Sequence, residues 1–214
     1  MKFGHGIQDK YRDSIKRAFN TIHEFGSDSH REVVELILES NMLIRVEPVS
    51  KINASGVTGL IDAGDTNDRI ADERLSVREA FDEIYIAIAE ETIDTGGQRG
   101  CEGTFVHEGQ HALDFARTIA SFSDADYHPL SVFDPTLYEL EWAAHVTSGE
   151  YMLRVARNEY IAEGLDLLIL GRAASGGCFL NHEGIRARLR DNYGLDPETK
   201  PGKLASELLG LRPK

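Results

Sequence analysis

Residues 104–111 read Thr-Phe-Val-His-Glu-Gly-Gln-His and are the most informative stretch of the chain, because they place the pattern His-Glu-x-x-His in sequence that favours a helix. On a helix, His107 and His111 lie on one face, where two imidazoles can bind the same tetrahedral zinc ion. Glu108 lies about 100° round the helix, where it can take a proton from a zinc-bound water. The pattern predicts a zinc hydrolase with two histidine ligands and Glu108 as general base; the alternative is a surface helix with two unrelated histidines.

The sequence around the motif predicts a buried helix over about residues 101–120. Its apolar side is formed by Phe105, Val106, Ala112, Phe115 and Ile119. The glycine-rich segment 94–103 before it predicts a turn. That segment lacks the Gly-Lys-Ser/Thr ending of a phosphate-binding loop, so we interpret it as a linker.

A catalytic zinc ion needs a third protein ligand, and two glutamates in the later segment Tyr-Glu-Leu-Glu-Trp-Ala-Ala-His are candidates. Glu139 and Glu141 point about 200° apart on a helix, so only one can face the metal. We predict Glu141, because Ala144 at +3 allows close helix packing and His145 at +4 could hydrogen-bond a ligand. Glu139 has the bulky Trp142 at +3. The alternative is that both glutamates are solvated surface charges.

These residues resemble the gluzincin metallopeptidases, the thermolysin-like class in which a glutamate on a later helix completes His-Glu-x-x-His. The resemblance covers roughly residues 56–148, and many members have Asp or Asn where this chain has His145. It implies a zinc metallopeptidase that hydrolyses a peptide bond by attack of a zinc-bound water. The metal ligands would be His107, His111 and Glu141, and the general base would be Glu108. The metzincins, which use a third histidine, fit less well because no His-x-x-Gly-x-x-His follows the motif.

Periodicity and turn signals complete the secondary structure. Short apolar and β-branched runs predict strands at 42–48, 56–62 and 84–89, with the first of these starting the sheet, and an irregular acidic loop near 62–76. Asp134-Pro135 predicts the N-cap and first residue of a helix that runs to about Ala162. The other helices are predicted at about 8–24, 29–40, 164–175, 181–192 and 201–209.

The predicted fold class is α+β and zincin-like: a small mixed β-sheet, an active-site helix that carries the motif, and a mostly helical C-terminal half. We predict one domain over residues 1–214. It comprises N-terminal helices in 1–41, the sheet and active-site helix in 42–120, and a helical C-terminal part in 121–214.

Three further roles are predicted less specifically. In the resembled family an edge strand beside the zinc ion binds extended peptide through its main chain, so strand 56–62 is either that edge or a plain packing strand. Asp114 either orients a ligand histidine or is a surface charge. A tetrahedral oxyanion also needs a donor, and spacing does not choose among Tyr127, His128, Tyr138, His145, Tyr151 and His182.

Composition restricts the partners and the compartment. The formal net charge of −13 argues against nucleic acid or an anionic membrane surface as the main partner. The N-terminus lacks the apolar core of a signal peptide. The sequence also contains no run of about 18 apolar residues, so we expect no membrane span. Cys101 and Cys178 are isolated, as is typical of a reducing compartment. We therefore expect a cytoplasmic protein with a peptide or protein substrate; the sequence leaves its oligomeric state open.

Two other functions remain compatible with the same residues. The four site residues could serve a zinc-dependent amidase or other hydrolase of a small molecule. Alternatively, the chain could be a non-enzymatic interaction protein with a residual metal site. The presence of Glu108 argues against that second alternative, because a purely structural metal site does not need it.

Overall fold

The computed structural model describes residues 1–124, 132–155 and 169–212, which form an α+β fold as predicted. The helices, labelled α1 to α10 in chain order, span Asp9–Phe25, Asp28–Glu39, Val49–Ile52, Ala63–Asp72, Val77–Ala80, Glu90–Asp94, Gly97–Ser123, Leu137–Val155, His182–Tyr193 and Ala205–Leu209. The strands, labelled β1 to β6, span Lys2–Phe3, Leu43–Glu47, Gly56–Leu60, Ile84–Ala89, Leu170–Arg172 and Cys178–Leu180.

The main sheet is small and mixed, with strand order β1-β2-β4-β3. The first three strands in that order are parallel, whereas β3 is antiparallel to β4 and forms an edge. The sheet begins at β1, since Lys2 and Phe3 pair with Leu43 and Ile44. The prediction that strand 42–48 starts the sheet was therefore wrong.

Helix α7 is the centre of the fold and packs against α1, α8 and the strands β3 and β4. The five apolar residues predicted to bury it are all buried, which confirms that face. Packing on several sides fixes the rotation of α7, so Glu108 meets Thr58 of β3 and the two motif histidines meet Glu141 of α8. In the described part of the chain, no helix is long and apolar enough to cross a membrane.

Two segments predicted to be irregular are helical. Within 62–76, α4 forms because the Asp62 side chain accepts hydrogen bonds from the first backbone N–H groups of that helix and Ile70 is buried. Within 94–103, α7 already begins at Gly97. A Cβ at Gly100 would lie 2.9 Å from the Thr92 carbonyl oxygen, so close packing there requires glycine. Tertiary packing thus overrides the low helix propensity of these glycines.

Helix α8 begins later than predicted. It starts at Leu137 rather than at Pro135, and Thr136 and Glu139 form a reciprocal cap at its first turn. The predicted N-cap, Asp134, instead accepts hydrogen bonds from the backbone N–H and hydroxyl of Ser206, at 2.8 and 2.7 Å. The predicted end near Ala162 lies outside the described residues.

The segment predicted to be helical over 164–175 contains a strand. Residues 164–168 lie outside the described residues, but β5 pairs antiparallel with β6 as a hairpin. The turn between these strands contains Gly176 at φ +83°, a conformation that favours glycine. The described residues of the C-terminal part are therefore less helical than predicted, although α9 and α10 form near their predicted positions.

Candidate metal centre and cleft

The structure brings His107, His111 and Glu141 together, as the sequence predicts. The Nε2 atoms of the two histidines lie 3.2 Å apart, and each lies 3.6 Å from one carboxylate oxygen of Glu141. Tetrahedral zinc bonds of about 2.0–2.2 Å would separate two ligand atoms by about 3.3–3.6 Å. Glu141 Oε2 is also buried without a hydrogen-bond partner among the described residues. The three groups therefore fit one metal ion.

Glu139 takes no part in this cluster. It is exposed, and its carboxylate accepts hydrogen bonds at 2.8 Å from the backbone N–H and hydroxyl of Thr136 at the start of α8. Ala144 is fully buried, as expected for the residue through which α8 approaches α7. The two candidate glutamates thus have different surroundings, and Glu141 is the one beside the histidines.

Burial and neighbouring charges shift the pKa values of the candidate ligand groups. Burial and the nearby His107 lower the pKa of His111 to about 4, which leaves its imidazole neutral at pH 7. Burial tends to raise the pKa of Glu141, but contact with His107 and the charge of His111 outweigh it and bring that pKa to about 2. His111 and Glu141 are therefore in the protonation states that bind a metal.

Glu108 lies in the same cleft and is 5% exposed. Burial raises the pKa of its carboxyl, while the charge of His107 and a hydrogen bond from Thr58 oppose that shift. The Thr58 hydroxyl donates to Glu108 Oε2 at 2.7 Å. A raised pKa suits a general base, whose pKa should approach the pH at which it works.

The two variable positions of the motif serve packing. Gly109 faces α2, where an added Cβ would lie 3.0 Å from a Val33 methyl group. The Gln110 side chain donates to Asp114 at 3.0 Å and accepts from Thr147 of α8 at 3.2 Å. Gln110 therefore ties the motif helix to the helix that carries Glu141.

Asp114 fits neither of its two predicted roles. It is only 4% exposed, so it is not a surface charge, and its partners are Gln110 and Arg117 rather than His111. The Nδ1 atom of His111 has no hydrogen-bond partner among the described residues. The contacts of Asp114 therefore stabilise the packing of α7 rather than orient a histidine.

His145 lies beside the cluster but makes no hydrogen bond to a candidate ligand. Its Nε2 is 3.9 Å from Glu141 Oε2, and its ring centroid is 4.8 Å from that of His107. Both of its ring nitrogens are buried and lack a hydrogen-bond partner in the described part of the chain. Burial and the charge of His107 lower the pKa of His145 to about 3.

A cleft of about 750 Å³ contains the cluster. Residues 53–58 line one side, and one face of α7 from Arg99 to Phe115 lines its length. Residues of α8 and α9, together with Thr92, Gly96 and Ile169, complete the lining. The cleft runs along roughly 24 Å of this helix, which corresponds to about seven residues of extended chain. The sheet edge β3, predicted from sequence, therefore borders a long cleft beside the motif.

Three of the four candidate oxyanion donors that the structure describes do not face the cluster. Tyr127 and His128 lie outside the described residues. Tyr151 is fully buried and donates to Glu102 at 3.0 Å, while Tyr138 and His182 contact the Trp142 ring. Of the four described candidates, His145 lines the cleft.

The sequence interpretation missed functional candidates on α9 and β3. Arg188, Asn192 and Tyr193 of α9 line the cleft, and the Tyr193 ring lies 5.9 Å from that of His145. Their one sequence signal is the helical spacing of four between Arg188 and Asn192. Thr58 was also missed, since nothing in its local sequence indicates a contact with Glu108.

Comparison with known proteins adds no assignment. No protein-family model matches the chain, and neither the curated proteins nor the solved structures contain a match.

Proposed function

We propose that this chain is a zinc-dependent metallopeptidase with a zincin-like fold. The observation that carries the proposal is the convergence of two histidine Nε2 atoms and the Glu141 carboxylate at 3.2–3.6 Å, beside the buried Glu108 on the helix that carries both histidines. His107, His111 and Glu141 would hold the zinc ion, and Glu108 would act as general base. A surface helix with unrelated histidines would not need this convergence.

Bound zinc would supply a Lewis acid that polarises the substrate carbonyl and acidifies water. Glu108 takes the proton from the attacking water and returns it to the leaving amine. Thr58 holds one oxygen of that carboxylate, which leaves the other to accept the proton. Because the pKa of His111 is low, its imidazole is neutral at pH 7 and has a lone pair available to bind the metal.

The shape of the cleft favours an extended peptide as the substrate. Ser55 accepts a hydrogen bond from the Ala89 N–H, and the Ile61 N–H donates to Glu83, so these pairs are hydrogen-bonded positions of the β3–β4 ladder. Such positions alternate along an antiparallel pair, and Thr58 falls between them. Its backbone N–H and C=O therefore face the open edge. A peptide can add to that edge as a further strand.

The test is hydrolysis by the zinc-loaded protein. Digestion of a peptide library, read by mass spectrometry, should yield cleavage products, and Glu108→Gln should lower kcat by about 10²- to 10⁴-fold while zinc is retained. Glu139→Gln is the matched control, since it removes the same charge from an exposed position on α8.

Three outcomes would contradict the proposal. Cleavage that survives in Glu108→Gln would mean that another group performs the chemistry. Activity confined to small amides would favour the amidase alternative. A biological function that persists in Glu108→Gln while His107→Ala unfolds the chain would favour a non-enzymatic protein.

A further inference from the structure

We infer that Thr58 is a positioning residue for Glu108, and that it connects the substrate-binding edge of the sheet to the general base. This inference rests on the proposed function. It is carried by contacts between β3 and α7 that the motif itself does not reveal.

The side chain of Thr58 holds Glu108 in one orientation. Its hydroxyl lies 2.7 Å from Glu108 Oε2 and 3.1 Å from the Glu108 backbone oxygen. Among the residues that the structure describes, no other side chain donates to this carboxylate. The terminal torsion of a glutamate is broad, so a carboxylate without this donor would sample several orientations.

Gly56 makes this contact possible. A Cβ at Gly56 would lie 2.6 Å from Thr104 Cγ2 and 2.8 Å from Glu108 Cγ, so no larger residue fits without movement. Gly56 and Thr58 are two residues apart and therefore share one face of the strand. That face lies against α7 directly beside the general base.

The backbone N–H and C=O groups of Thr58 have a different orientation from its side chain. Because Thr58 pairs with Ile86 at a non-hydrogen-bonded position, its N–H and C=O face the open edge rather than β4. A peptide added to this edge would bond to the same residue whose hydroxyl holds Glu108. Substrate docking and base orientation thus depend on one residue.

The experiment compares Thr58→Val with Thr58→Ser in the zinc-loaded protein. Valine keeps the strand and its backbone groups but removes the hydroxyl, whereas serine keeps the hydroxyl. We expect kcat to fall by about 10- to 100-fold in Thr58→Val, with KM changed less than about twofold and zinc content unchanged. Thr58→Ser should restore most of kcat.

A matched control is available at Thr66. Its hydroxyl also donates to a backbone oxygen, at 2.9 Å from Asp62, and to a glutamate, at 2.8 Å from Glu83. Thr66 does not line the cleft. Thr66→Val should lower stability but leave kcat unchanged, which separates loss of a buried hydroxyl from loss of the positioning contact.

The outcomes distinguish this inference from the proposed function. If the wild-type protein cleaves no peptide, or if Glu108→Gln is fully active, the proposed function fails. If the wild type is active and Glu108→Gln is not, a wild-type kcat in Thr58→Val overturns the inference. An equal loss of kcat in Thr58→Ser, or a rise in KM alone, also overturns it.

Discussion

Replacing Gly56 with alanine tests the packing of the edge strand on the motif helix. The added methyl carbon would lie 2.6 Å from Thr104 Cγ2 and 2.8 Å from Glu108 Cγ. Two carbon atoms prefer a separation of about 3.5–4.0 Å, so β3 would have to move by roughly 1 Å. Overpacking of this kind costs about 1–3 kcal/mol. The same movement would separate Thr58 from Glu108.

Thermal unfolding of the zinc-free protein measures the loss of stability caused by overpacking. In a chain of this length, 1 kcal/mol corresponds to roughly 2–4 °C in Tm, so Gly56→Ala should lower Tm by roughly 2–12 °C. Peptide cleavage measures the effect of separating Thr58 from Glu108. The value of kcat should fall by about 10-fold or more, because the general base loses its orientation.

The control is Gly59→Ala in the same strand. A Cβ there would meet the Tyr85 ring at 3.2 Å, and that ring is partly exposed and can shift by a few tenths of an ångström. Neither glycine has a positive φ, so alanine suits both backbones. A Tm and kcat for Gly56→Ala equal to those of Gly59→Ala would refute the packing argument.

Three further predictions concern other parts of the molecule. Gln110→Ala should lower the free energy of unfolding by about 1–3 kcal/mol, because the buried carboxylate of Asp114 loses a hydrogen-bond donor. The control Gln98→Ala, on the same helix, should change the free energy of unfolding by less than about 0.5 kcal/mol. Urea denaturation measures both variants. Cys178 should react with a thiol reagent at pH 8, whereas Cys101 should react only after denaturation, because it is fully buried and burial raises its pKa to about 12. Burial also lowers the pKa of folded His30, so the unfolded chain binds the proton more readily. The stability of the wild type relative to His30→Gln should be greatest above pH 6.5 and should decline as pH falls below that value. A constant difference between the two stability curves would contradict it.

The part of the site that follows helix geometry could be predicted from sequence. A spacing of four places His107 and His111 on one face, and the small Ala144 distinguishes Glu141 from Glu139. These inferences need only the period of a helix and the size of one neighbour. The apolar stripe of α7 was predictable for the same reason.

The part of the site that depends on tertiary contact could not be predicted. Thr58 meets Glu108 across 50 residues of sequence, and Asp134 leaves its expected capping role because Ser206 lies beside it. The glycines before the motif look like a turn, yet they allow α7 to pack closely on Thr92. In each case a partner outside the local segment outweighs the local preference.

The most direct test of the account is the zinc content of protein purified without added metal. The wild type and Glu139→Ala should each contain about one zinc per chain, and His107→Ala and Glu141→Ala should contain almost none. Zinc retained in Glu141→Ala but lost in Glu139→Ala would mean that the wrong glutamate has been assigned. A wild-type protein that binds no metal would contradict the account as a whole.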